Sequence, residues 1–102
     1  MTEEDKKRIS EYMRWTYEPD RHCIVSEGEN HRRIAHNLDL NDAGLCIAEI
    51  QKRGDDYVKF IAFAYDMAFD YGYAQYHTVT AWLFNAENFF AAMAAYLKEG
   101  KK

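Results

Sequence analysis

Tyr57-Val58-Lys59-Phe60-Ile61-Ala62-Phe63-Ala64-Tyr65 and, after a turn, Tyr73-Ala74-Gln75-Tyr76-His77-Thr78-Val79-Thr80-Ala81-Trp82-Leu83-Phe84 decide the fold class of this chain. The first run is apolar nearly throughout, so periodicity alone does not separate a buried strand from a buried helix. Its β-branched and aromatic residues favour strand, whereas Ala62, Ala64 and Ala68 favour helix. The second run tips the balance. Tyr76, Thr78, Thr80 and Trp82 alternate with His77, Val79, Ala81 and Leu83, and Asp70-Tyr71-Gly72 supplies turn chemistry between the runs. Two antiparallel strands are expected, within 57–67 and 73–84. The alternative, a helix over 57–69, would make the chain mostly α.

Working outward, the last segment reads as a helix over 86–98. Asn85 is a good N-cap, Glu87 lies at the positive end of the macrodipole, and Gly100 suits a helix stop. Phe89, Phe90, Met93, Tyr96 and Leu97 form its apolar face. Upstream, Asp39 caps a helix over 39–53 with Asp42 three positions on, and Lys52, Arg53 and Gly54 end it. Leu40, Ala43, Ile47 and Ile50 make its stripe, with Cys46 beside them. Gly44 inside this helix costs about 1 kcal/mol relative to Ala, and a close approach by another element would explain it. A first helix spans 2–14, with Thr2 and Asp5 in capping-box relation and Ile9, Tyr12 and Met13 facing inward. Between these helices, Thr16 to Asn37 reads as a long loop in which only Cys23-Ile24-Val25 suggests a short strand. Loops beyond roughly 12–15 residues are usually functional or disordered.

The expected class is therefore α+β, with helices covering a small antiparallel sheet on both sides, in one domain over 1–102. The order is helix, long loop, helix, strand hairpin, C-terminal helix. A net charge of −4 argues against a general polyanion binder. No apolar run reaches the roughly 18–20 residues of a membrane span, and no apolar signal region follows the charged start. A cytoplasmic protein without a membrane partner is expected. Cys23 and Cys46 do not form a secreted disulfide framework.

Three segments, Ile9-Ser10-Glu11-Tyr12-Met13-Arg14-Trp15, Leu38-Asp39-Leu40-Asn41-Asp42-Ala43 with its Arg53-Gly54 ending, and the Ala-rich helix from Asn85, have a familiar order and spacing. Together they resemble small phage- and prophage-encoded proteins of the phage ABA-sandwich type. The resemblance implies a sheet between helix layers and a mobile-element origin. It transfers no catalytic or binding residue, and the histidine-containing loop and Tyr-rich segment depart from it.

Candidate chemistry is sparse. His22, Cys23, His31 and His36 are zinc-type ligands, but their spacing matches no knuckle or finger, so no metal or other cofactor is expected. Cys46 with His77 or His36 offers a nucleophile and a base, yet a thiol beside an apolar stripe is ordinarily a small core residue. Nothing assembles a catalytic site, and no enzyme is expected. Arg32 and Arg33 are anion-contact candidates; the plainer reading is salt bridges to Asp or Glu elsewhere. Nucleic acid is accordingly the secondary partner class. Asp55, Asp56, Asp66 and Asp70 belong to an acidic central segment able to imitate phosphates before a basic partner. Eight Tyr, six Phe and two Trp are more rings than a domain of 102 residues easily buries. Tyr57, Tyr65, Tyr71, Tyr73 and Tyr76 are therefore candidates for a surface patch that meets a protein partner or a second copy. An interaction protein is the leading expectation, with inhibition of a host protein as one role.

Overall fold

In the computed structural model the chain is α+β, with five α-helices and a three-stranded antiparallel sheet among its described residues. Residues 1–27, 32–70, 72 and 76–100 are described, with backbone only for Glu27, Asp55, 76–79 and Gly100. The fold class matches the sequence reading. The position of the sheet does not.

Helix α1 (Glu3–Met13) begins at the expected capping box: the Asp5 amide donates to Thr2 Oγ1 at 3.1 Å, and the Thr2 amide donates back to Asp5. It ends at Arg14, whose φ of 60° reverses the chain. All three strands then fall inside the stretch read as a loop: β1 (Thr16–Glu18), β2 (Cys23–Glu27) and β3 (Arg32–Ala35), ordered β1-β2-β3. Cys23-Ile24-Val25 is the kernel of the central strand, paired with β1 through Ile24–Tyr17 and with β3 through Ile24–Ala35. Tyr17, Ile24 and Ala35 thus share one face and join the core. The edge strands have only three and four residues, and Glu18, Arg32 and Arg33 on them hide the period-2 signal.

Helix α2 (Leu40–Lys52) carries the expected Asp39–Asp42 box, and its buried stripe includes Ala43, Cys46 and Ile50. Among the described residues no atom lies within 4 Å of where a Gly44 side chain would begin, so none of them makes the expected close approach. Gly44→Ala should therefore raise stability by about 0.5–1 kcal/mol, from helix propensity alone. A urea midpoint that moves up with an unchanged slope would register this.

The expected strand hairpin is corrected outright. Residues 57–67 lie in helix α3 (Asp55–Asp70), and α4 (Tyr76–Leu83) takes the place of the second strand, whose expected first residues, 73–75, lie outside the described residues. Phe60, Ala64 and Ala68, each four residues on, are all fully buried and form the inner face of α3. Burial of this face outweighs the strand preference of its β-branched and aromatic residues. Gly54, at φ 66°, lets α3 start directly after α2. In α4 the β-branched Thr78, Val79 and Thr80 are helical, and Trp82 at its end is buried. Helix α5 (Ala86–Ala95) starts at Asn85 as expected and runs on as a π-helical turn, Tyr96–Gly100.

One hydrophobic cluster joins all these layers. At its centre Phe60 meets Phe89 edge-on at 5.6 Å and Tyr96 at 5.6 Å, and Phe89 meets Phe90 at 5.1 Å. No described helix is long and apolar enough to cross a membrane.

Candidate interaction surface

Helix α3 is apolar on two faces. Its inner face is the Phe60–Ala64–Ala68 row. On the outer side, Val58, Ala62, Tyr65 and Phe69 recur at spacings of four, three and four, which places them on one stripe. Val58 is 70% exposed and Phe69 59% exposed. Tyr57, Val58, Ile61, Ala62, Tyr65 and Asp66 border a shallow hollow along this stripe.

Tyr57 and Ile61 also border a second hollow, a groove of about 390 Å³ between α2, α3, α4 and the start of α5. Its other walls include Leu40, Gly44, Ile47, Leu83 and Phe84. Leu40 is 43% exposed and Phe84 75% exposed. Leu40, Ala43, Gly44 and Ile47 lie on one side of α2, so Gly44 is the low point of that wall. The stripe and the groove form one apolar surface with α3 as its spine.

Charge borders the stripe on one side only. Lys59, Asp66 and Asp70 are exposed there, and no basic residue occupies the last turn of α3. Asp70 therefore sits at the negative end of the helix dipole, where a carboxylate is disfavoured.

The candidates named from the sequence divide sharply. Tyr57 and Tyr65 are half-buried on the apolar surface, and Asp66 and Asp70 are exposed beside it. Tyr71 and Tyr73 lie outside the described residues, as do the side chains of Asp55, Tyr76 and His77. Asp56 is not a surface carboxylate. It accepts from the Tyr12 hydroxyl at 3.1 Å and the Tyr96 hydroxyl at 3.3 Å, tying α1 and the terminal turn to α3. Arg53 completes that junction, its guanidinium 3.8 Å from the Tyr12 ring centre while it donates to the Tyr12 carbonyl.

Arg33 does not project to solvent as an open fork. It donates to Asp42 through one nitrogen and to Asp39 at 3.0 Å through the other, bracing β3 against the capping box of α2. The Asp42 amide, helped by Arg33, holds the Asp39 carboxyl below its ordinary range. For Arg33 the plainer salt-bridge reading holds. Arg32 is exposed and makes its own interaction.

The zinc-type residues do not converge. His22 Nδ1 lies 2.8 Å from Glu3, whose carboxyl falls to about 2 because Tyr17, His22 and Lys6 all reach it. Cys23 is buried, with its thiol aimed at Glu18, and His36 is exposed. His31 lies outside the described residues. Burial pushes the Cys46 thiol up to about 12, far from nucleophilic at neutral pH. Its environment is that of a core residue.

Val58, Ala62, Phe69 and Phe84 went unrecognised in the sequence, and Leu40, expected on the buried stripe of α2, is exposed beside Gly44 instead. The four-three-four spacing was the available signal, and reading 57–67 as strand concealed it. No family model, no curated protein and no solved structure matches this chain.

Proposed function

We propose that the chain is a non-enzymatic protein-interaction module of phage or mobile-element type that docks onto a host protein in the cytoplasm. The apolar surface along α3 carries this reading. Single exposed apolar residues are ordinary on any protein, but Val58, Tyr65, Leu40 and Phe84 border two adjoining hollows, and the exposed Phe69 lies one turn beyond Tyr65 on the same stripe. Aligned apolar surface with a polar edge is the usual make-up of a docking site. The carboxylates of Asp66 and Asp70 orient the partner by charge and would suit inhibition of a protein with a basic groove. Asp70 gains nothing from its own helix, which favours a role toward something outside it.

Anion contact through Arg32–Arg33 is the runner-up. Commitment of Arg33 to Asp39 and Asp42 weighs against it.

Capture from host lysate, compared across variants, tests the proposal. A partner retained by the native chain should be lost with Val58→Asp and kept with Ile34→Asp, both at exposed positions. Retention of an oligonucleotide that depends on Arg32 and Arg33, with no protein dependent on Val58, would overturn the proposal in favour of the runner-up.

A further inference from the structure

The outer stripe of α3 is complementary to itself. Resting on the interaction reading, we infer that in the free protein a second copy of this chain covers the stripe, with α3 packed antiparallel on α3 about a two-fold axis, and that a host protein docks by displacing it. Val58, Ala62, Tyr65 and Phe69 have the alternating four-three spacing of a coiled-coil seam. An antiparallel pair centred between Ala62 and Tyr65 sets Ala62 against the partner's Tyr65 and Val58 against the partner's Phe69. Small then faces large at every level, so the helices approach closely without the rings colliding.

The charges pair about a centre one residue away, within the reach of their side chains. Lys59 and Asp66 lie seven residues apart on the same edge of the stripe and share one heptad position. In an antiparallel pair like positions on this edge meet, so Lys59 faces the partner's Asp66 and Asp66 faces the partner's Lys59. Flanking charges of this kind set partner choice and orientation in helix pairs. A parallel pair in register loses both contacts, because it sets Lys59 level with the partner's Lys59. Within the chain, neither Lys59 nor Asp66 forms an ion pair with another described residue. A closed two-fold interface requires that one patch match itself. Size and charge both meet that requirement, about centres one residue apart, and an unrelated partner would require neither match.

Light scattering over a concentration series provides the test. The native chain should be a dimer. Lys59→Asp alone and Asp66→Lys alone turn both symmetric contacts into like-charge pairs, and each should weaken dimerisation about a hundredfold. Mixing the two variants should restore a dimer, because each supplies the charge that the other lacks. Both positions are exposed, and unchanged circular dichroism would show that the variants fold. Single variants that dimerise like the native chain, or that fail to recover on mixing, overturn the arrangement. A native chain monomeric at every concentration overturns self-association. If that monomer still captures a host protein through Val58, the docking reading stands. If it does not, both fall.

Discussion

Phe60→Ala should destabilise the protein by about 3–5 kcal/mol, the range for an aromatic ring removed from a close-packed core. Phe60 is fully buried and meets both Phe89 and Tyr96. The ring is the contact through which α3 holds α5 and the π-helical turn, so its loss leaves a cavity bordered by rigid aromatics. Such sites relax poorly, which puts the effect toward the upper part of the range. Domains of this size have about 5–15 kcal/mol in total, so the variant should be marginal at room temperature. Phe84→Ala, on the exposed wall of the groove, should stay within about 0.5 kcal/mol of native. Equal losses in urea melts of the two variants would mean that the core does not centre on Phe60.

Asp56→Ala is expected to have the second-largest effect. It removes the acceptor from two tyrosine hydroxyls, those of the buried Tyr12 and Tyr96. Taking the acceptor from the buried Tyr96 hydroxyl costs about 1–3 kcal/mol, so the loss should exceed that of an ordinary surface substitution several-fold. Asp56→Asn, which keeps one acceptor oxygen, should lose less. The junction also leaves a pH signature. Burial first, and Asp56 second, raise both phenols above their ordinary value of 10.0. Folding therefore favours the protonated phenols. Their contribution is intact below pH 10 and disappears as the pH rises through the higher folded-state values. Stability should fall on the alkaline side, and Tyr96→Phe should make that fall shallower.

Local chemistry was legible and two-faced burial was not. The starts of α1, α2 and α5 were all readable, because a cap is decided by a few adjacent residues such as Thr2–Asp5 or Asp39–Asp42. The strands were hidden by brevity, with only Cys23-Ile24-Val25 showing above the polar edge residues. Helix α3 was hidden for a different reason. Phe60, Ala64 and Ala68 mark an inner face, but Val58, Ile61, Tyr65 and Phe69 fill in the gaps between them. A helix apolar on both sides loses the contrast on which periodicity depends. The residues that obscured the helix are those that form the candidate site, so the misread segment and the interaction surface have one cause. Arg33 shows the opposite limit. Its neighbours in sequence suggested an anion grip, while its true partners, Asp39 and Asp42, come together with it only when β3 lies against α2.

The two cysteines make the molecule its own reporter of breathing motions. Cys23 sits in the central strand and Cys46 in α2, both closed to solvent. Neither thiol can meet an alkylating reagent until its surroundings open, and the rate of capture then measures how often that happens. One thiol times the sheet and the other times the helical layer. Equal rates would mean that the two layers come apart in a single event, and unequal rates would identify the layer that loosens first.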